Sequence, residues 1–127
     1  MYQELQSKVT EEKPSYSREE IQWLLEHLGD SSPEIRDDLV FTSLARGIQE
    51  ELFTKEQFQF IAARIVSDGG LDKEIGKQGA STLERSFRAL IYANLLSADG
   101  NEHSIFYQLL QTDIRNTMLD QGLYYLE

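Results

Sequence analysis

Cysteine is absent from this sequence of 127 residues. Its absence excludes disulfides, thiolate metal sites and cysteine nucleophiles. A chain of this length can bury enough surface to fold around a hydrophobic core without such cross-links. The lack of cysteine also agrees with a reducing compartment, so we predict a cytoplasmic location.

Long apolar runs are missing as well. The longest apolar cluster spans residues 90–96 and is interrupted by Asn94, whereas a membrane helix needs about 20 apolar residues. Residues 1–14 are polar and charged, without the apolar segment of a signal peptide. We therefore predict that the chain has no membrane partner.

Positive charge is scarce, because 12 Lys and Arg residues face 22 Asp and Glu residues and the net charge is −10. The acidic residues are spread along the chain and are not gathered in a tail. A negative field repels phosphate backbones, so we predict no nucleic-acid partner. The simplest interpretation of the negative charge is that it keeps the protein soluble. The alternative is that it attracts a basic protein partner.

Proline is limited to Pro14 and Pro33, and this composition favours helices. Pro14 would end any short helix near the start, so residues 1–16 are predicted to be an N-terminal arm that is flexible or partly helical. Residues 17–127 are predicted to form one helical domain. The apolar periodicity places its helices near residues 18–28, 33–50, 55–67, 81–97 and 102–126, with an ordered loop over 71–80.

An internal repeat is the most informative pattern. Residues 17–28 align with residues 54–65 at an offset of 37, and both segments begin with a capping box. Trp23 matches Phe60, and for both we predict packing between repeats, with an exposed binding patch as the alternative. A repeat of this length is typical of helical solenoids. We therefore predict an all-α, HEAT-like α-solenoid, a right-handed stack of antiparallel helix pairs.

The first unit resembles a HEAT repeat, because Asp30 and Pro33 open its second helix and Arg36 follows. The glycine pair in Gly76-Lys77-Gln78-Gly79, followed by Arg85-Ser86-Phe87, resembles a bacterial family catalogued as domain of unknown function number 2785. That resemblance covers roughly residues 17–126. It implies a helical fold and a bacterial cytoplasmic setting, but no known activity.

The family pattern continues with an Arg-Gly motif, a Gly-Trp motif and two spaced histidines, none of which follows here. The alternative function is therefore the N-terminal part of a larger enzyme whose site lies in a missing C-terminal half.

No catalytic constellation is visible. His27 and His103 lack a second ligand at metal spacing, and Ser86 lacks the elbow of a nucleophile. We predict no catalytic residue, metal or cofactor. The side chains that we single out as interaction candidates are Trp23, Arg36, Lys77, Arg85 and Arg88.

The predicted function is a non-catalytic helical-repeat module that binds a partner protein, since stacked helices present extended surfaces. The C-terminal helix is apolar on more than one face, at Leu119, Leu123, Tyr124 and Leu126. Such a face favours association, so we also predict a homodimer through this helix, with packing against a missing C-terminal portion as the alternative.

Overall fold

The computed structural model describes residues 1–67 and 80–126, with side chains described for residues 1–66 and 87–120. Within these residues the chain forms helices and turns and no strand, which confirms the all-α prediction. The helices are α1 (Tyr2–Val9), α2 (Arg18–Glu26), a π-helical segment (Glu34–Phe41) that runs directly into α3 (Thr42–Gln49), α4 (Lys55–Ser67), α5 (Ala80–Asp99) and α6 (Thr112–Leu126).

The helices contact one another in two series. In the first series α2 packs against α4, and α4 packs against α6. In the second, α3 packs against α5, and α5 in turn contacts α4 and α6. The π segment receives α1 on its outer side. One hydrophobic core runs through all of these elements.

Both predicted capping boxes are present. At the start of α2, Glu20 N donates to Ser17 Oγ at 3.1 Å, and Ser17 N donates to Glu20 Oε1 at 2.8 Å. At the start of α4, Gln57 N and Thr54 Oγ1 are 3.1 Å apart, and Thr54 N donates to Gln57 Oε1 at 2.9 Å. These bonds satisfy amides that the first helical turn leaves free, so each helix begins where the sequence predicts.

The apolar stripes of α2 and α4 form the centre of the core. Each stripe repeats at i, i+3, i+4 and i+7, which places its side chains on one helix face. Every predicted member is at most 5% exposed: Ile21, Leu24, Leu25 and Leu28, and Phe58, Ile61, Ala62 and Ile65. The repeated sequence therefore produces two helices that bury equivalent faces.

The helix predicted over residues 33–50 begins as a π-helix and continues as an α-helix. Before it, Asp30 Oδ1 accepts a hydrogen bond from Ser32 N at 2.8 Å. At the junction, Thr42 Oγ1 donates to Asp37 O, five residues back, at 3.1 Å. A π-helix has the i→i+5 bonding pattern, and apolar periodicity does not distinguish it from an α-helix over so short a length.

The N-terminal residues are tied to the domain more firmly than an arm would be. Leu5 on α1 is completely buried. Lys8 Nζ lies 2.6 Å from Glu20 Oε1, and Arg46 Nη1 donates to Val9 O at 2.8 Å. The partly helical alternative therefore describes residues 2–9, and these long-range bonds, absent from any local pattern, are the reason that α1 belongs to the core.

The ion pair between Lys8 and Glu20 predicts a pH dependence. Burial acts to raise the pKa of Glu20, but hydrogen bonds from Lys8 and Ser17 outweigh it, so the pKa lies below its ordinary value of 4.5. A carboxylate whose pKa is lowered by folding stabilises the protein above its unfolded pKa, and this contribution is lost as pH falls through the folded pKa.

We expect Glu20→Gln to lower the free energy of unfolding by about 1 kcal/mol at neutral pH. Glutamine can keep the bond to Ser17 N, as Gln57 does at the second box, so the loss isolates the charge. The difference from wild type should shrink below pH 4.5 and vanish at lower pH. Urea denaturation at several pH values measures it, with the exposed Glu19→Gln as control. An equal difference at all pH values would contradict the assignment.

The segment between α5 and α6 departs most from the prediction. A helix was expected over residues 102–126, but residues 101–111 form turns and irregular structure before α6 begins. The cause is the buried Asp99, whose carboxylate accepts from Leu110 N at 2.9 Å and from Arg115 Nε at 2.8 Å. These bonds fold the chain back onto the end of α5, and a continuous helix cannot make them.

Local side-chain bonds within this segment also oppose a helix. Asn101 Oδ1 accepts from His103 N at 3.0 Å, two residues on. Ser104 Oγ accepts in the same way from Phe106 N at 3.0 Å. Asn and Ser offer such backbone bonds as an alternative to helix bonding, so these two turns replace the predicted first helical turns.

Two further expectations concern α5 and the residues before it. The apolar periodicity predicts Leu90, Ile91 and Leu95 on one side of this helix. Ile91 and Leu95 are fully buried, whereas Leu90 is 49% exposed and Tyr92 is buried. The inner face of α5 therefore includes Tyr92 in place of Leu90. The loop predicted over residues 71–80 lies almost wholly outside the described residues.

Candidate protein-interaction surface

Trp23, an interaction candidate from the sequence, lies half-buried on α2. Its ring stacks on His27, with centroids 3.9 Å apart and planes 18° apart, and Tyr2 of α1 lies 6.3 Å away. The Nδ1–H of His27 donates to Trp23 O at 2.8 Å, which fixes this stack. The aromatic partners of Trp23 are thus α1 and its own helix, where packing against a neighbouring repeat was expected.

Arg36 is almost fully buried at 9% exposure. Its Nε donates to Asp37 Oδ1 at 2.7 Å, and its guanidinium lies 5.7 Å from the ring centroid of Phe87. The hydrogen bond to Asp37 raises the pKa of Arg36 above its ordinary value. The acidic partner of Arg36 is therefore the adjacent residue, and the side chain links the π segment to α5.

The remaining basic candidates do not form a described surface patch. Arg88 is 2% exposed and its Nη1 donates to Ile65 O at 3.2 Å, so it joins α5 to the end of α4. Arg85 lies on α5, but its side chain is outside the described part, and Lys77 is outside it altogether. Arg88 is therefore buried between helices and does not present its charge at the surface.

An open groove of about 700 Å³ runs along α2 and α4. We call it the α2–α4 groove, and it is lined by Arg18, Thr54, Glu56, Gln57, Gln59, Phe60, Ala63 and Gln111. The half-buried Phe60 supplies its aromatic surface. The guanidinium of Arg18 lies 4.4 Å from the Phe60 ring centroid, and that of Arg64 lies 5.8 Å from it.

Two glutamines hold the walls of this groove in place. Gln57 Nε2 donates to Tyr16 O at 2.5 Å, a bond that links α4 to the residues before α2. Gln59 Nε2 donates to Leu109 O at 3.1 Å, which links α4 to the segment before α6. Both bonds join distant parts of the chain, so they fix the non-helical residues before α2 and before α6 to α4 beside the groove.

Sequence reasoning identified Phe60, through its match to Trp23, but missed Arg18. Arg18 is the first residue of α2, and it reaches the Phe60 ring only because α2 packs beside α4. Its one available signal was the aligned Lys55, a second cation at the start of the matching helix. That signal does not reveal which aromatic ring the cation meets.

Metal and membrane functions find no support in the described residues. No group of three or more His, Asp or Glu side chains there is close enough to hold a metal ion. None of the helices in the described part is long and apolar enough to cross a bilayer.

The C-terminal helix presents a half-exposed leucine. On α6, Met118 is fully buried, whereas the neighbouring Leu119 is 43% exposed. The side chains of Leu123, Tyr124 and Leu126 lie outside the described part. We expect α6 to pair with α6 of a second copy. In a two-fold interface the same surface of both copies is buried, so Leu119 would be buried on each of them.

Sedimentation equilibrium at micromolar concentration tests this pairing. We expect a dimer for the wild type and at least a tenfold weaker dimer for Leu119→Gln, since apolar burial contributes about 25 cal/mol per Å² at both copies. Leu90→Gln, which changes an exposed leucine on α5, is the matched control and should leave the dimer intact. A monomeric wild type, or equal weakening by both variants, would contradict the prediction.

No family model matches this chain, and the comparisons with curated proteins and with solved structures gave no match. The resemblance to the family of unknown function therefore stays a prediction.

Proposed function

We propose that this chain is a non-catalytic, HEAT-like helical-repeat module that binds a partner protein in the cytoplasm. Two features support the repeat. The capping boxes of α2 and α4 match, and both helices bury equivalent stripes. The contact series of α2, α4 and α6 beside α3 and α5 is the arrangement expected of stacked helix pairs.

The observation that carries the proposal is the pair formed by Arg18 and Phe60 in the α2–α4 groove. Aromatic and arginine side chains dominate the binding energy of protein interfaces, above all where they sit in a preformed pocket. Stacking on the ring also restrains the arginine before any partner arrives, which reduces the ordering cost of binding. The groove is thus a site where a partner side chain gains both apolar and charged contacts.

Polar groups around the pair would orient a bound segment. The groove includes the hydroxyl of Thr54, the carboxylate of Glu56 and the amide of Gln111. These groups offer both donors and acceptors, as a peptide backbone requires. A mixed polar rim around an aromatic centre is the usual composition of a protein interface.

Affinity measurements with matched variants test the proposal. A partner is first captured by the full chain, identified, and purified, and its Kd is then measured by calorimetry. We expect Phe60→Ala and Arg18→Ala each to weaken binding about tenfold or more, which corresponds to about 1.4 kcal/mol. Lys55→Ala is the control, because Lys55 is likewise exposed and opens a helix, but does not line the groove.

Thermal denaturation of each variant separates lost binding from lost folding. A partner that binds wild type, Phe60→Ala and Arg18→Ala equally well would show that the α2–α4 groove is not the binding surface. A partner that loses affinity with Lys55→Ala to the same extent would indicate general charge attraction.

A further inference from the structure

A second cavity, of about 220 Å³, opens where the end of α3 meets α5 and the turn that follows it. It shares no lining residue with the α2–α4 groove. Among the described residues, its lining includes six polar side chains, Gln49, Glu51, Asn94, Ser97, Asn101 and Ser104, and no basic one. We call it the Glu51 pocket, because Glu51 carries the one ionisable group in this part of the lining.

Glu51 occupies an unusual backbone position. Its φ of 57° lies in the left-handed region. Glu50 is the C-cap of α3, and Leu52 N donates to Gly47 O at 2.9 Å. Glu51 is therefore the residue directly after the C-cap, a position that is usually glycine. A glutamate here carries a conformational cost that glycine would avoid. The position therefore favours a role for its carboxylate.

The carboxylate is held at the pocket by a bond from across the fold. Ile105 N donates to Glu51 Oε1 at 3.2 Å, 54 residues away in sequence. Within the described residues, Glu51 makes no ion pair, whereas the adjacent Glu50 pairs with Arg46 at 2.8 Å. Glu51 thus places a carboxylate beside a small cavity, and its second oxygen makes no bond to any described residue.

Neighbouring groups supply further acceptors in the same cavity. Gln49 Nε2 donates to Asn94 Oδ1 at 2.7 Å, which leaves the carbonyl oxygen of Gln49 available. Ser97 and Ser104 add hydroxyl oxygens. Several acceptors around one carboxylate suit a guanidinium, which has five N–H donors in a planar fork. A lysine ammonium has only three N–H donors on one nitrogen, so it can bond fewer of these acceptors at once.

Exposed Ile and Tyr side chains lie on the turn that contributes Ser104 to the pocket. Ile105, whose amide binds Glu51, is 44% exposed, and Tyr107 is 41% exposed. Exposed side chains of this kind can contact the aliphatic stem and the neighbours of an inserted side chain. The net charge of −10 adds a long-range attraction for a cationic segment.

We propose that the Glu51 pocket receives an arginine side chain from a basic segment of a partner protein. This inference rests on the proposed interaction function and names the partner's chemistry. In the bound state, Glu51 Oε2 and the oxygens of Gln49 and Ser104 accept from the guanidinium, while Ile105 contacts the chain on either side. The α2–α4 groove then provides a separate contact.

Nuclear magnetic resonance of the full chain tests the proposal with a defined probe, N-acetyl-arginine amide. We expect saturable shifts of the Asn94, Ser104 and Ile105 amide signals, with a millimolar Kd. N-acetyl-citrulline amide, a neutral probe of the same shape, should cause no saturable shift. Shifts that do not saturate, or that are equal for both probes, would overturn the proposal.

Matched variants locate the charge. Glu51→Gln should weaken the arginine probe at least fivefold, whereas Glu102→Gln, which removes an exposed charge on the nearby turn outside the pocket, should change it less than twofold. Glu51→Gly should abolish binding while keeping or raising thermal stability, because it relieves the left-handed backbone. Equal effects of Glu51→Gln and Glu102→Gln would overturn the assignment to this pocket.

The same titration on Phe60→Ala separates this inference from the proposed function. Probe binding that persists in Phe60→Ala supports an independent pocket. A second result is that the purified partner binds the α2–α4 groove variants with wild-type affinity while the arginine probe still binds through Glu51. That result would contradict the proposed groove and support the Glu51 pocket. If the probe does not bind the wild type, the pocket fails whatever the groove does.

Discussion

Phe106→Ala is expected to lower the free energy of unfolding by about 3–5 kcal/mol, because it leaves a cavity the size of a phenyl ring in the core. Phe106 is completely buried, and its ring stacks on Phe58 with centroids 4.3 Å apart and planes 9° apart. Both the transfer of the ring from water and its aromatic contact are lost. Urea denaturation followed by far-ultraviolet circular dichroism measures the change.

The neighbouring tyrosine provides the control for this prediction. Tyr107 is 41% exposed, and Tyr107→Ala should change stability by no more than about 0.5 kcal/mol. Phe106→Leu, which keeps most of the buried volume, should lie between the two. A loss below about 1 kcal/mol for Phe106→Ala would show that residues 101–111 do not anchor in the core.

Gly47→Ala is expected to destabilise the protein by about 2–3 kcal/mol, although alanine is the better helix former by about 1 kcal/mol. A Cβ atom at Gly47 would lie only 2.2 Å from Cε2 and Cζ of Phe53. Phe53 is 2% exposed and also packs edge-on against Tyr16, with ring centroids 5.5 Å apart. The ring therefore cannot withdraw without disturbing the core.

Gly100→Ala is the matched control, since a Cβ there would lie 3.4 Å from Leu96 O and 3.9 Å from Ser97 O, both ordinary contact distances. We expect its stability to change little. Adding Phe53→Leu to Gly47→Ala should recover part of the loss, because the smaller side chain makes room. Thermal and urea denaturation of the four proteins measure these effects. Equal stability of Gly47→Ala and wild type would show that the ring moves aside freely.

These two positions matter for the proposed surfaces as well. Phe106 anchors the segment that contributes Gln111 to the α2–α4 groove and Ser104 to the Glu51 pocket. Gly47 accepts the hydrogen bond that ends α3 just before the pocket. Variants at either position that still fold should therefore shift Glu51 or Ser104 and weaken binding of the arginine probe, although every side chain that lines the pocket is retained.

The amino-acid sequence by itself determined the helical class, both capping boxes and the inner faces of α2 and α4. The signals for these features are local: a capping bond joins residues three apart, and an amphipathic stripe repeats within each helical turn. The buried stripes from Ile21 and from Phe58 onward were therefore predictable one helix at a time.

Only the tertiary structure decided the rest. Residues 101–111 leave the predicted helix because Asp99 binds Leu110 N and Arg115, contacts that require α5 and α6 to be packed together. Arg18 reaches Phe60 through the packing of α2 on α4, and Glu51 meets Ile105 across 54 residues. The two residues of each pair lie far apart in the sequence, and no periodic pattern relates them. Their contact depends on how the helices pack, which periodicity along the chain does not predict.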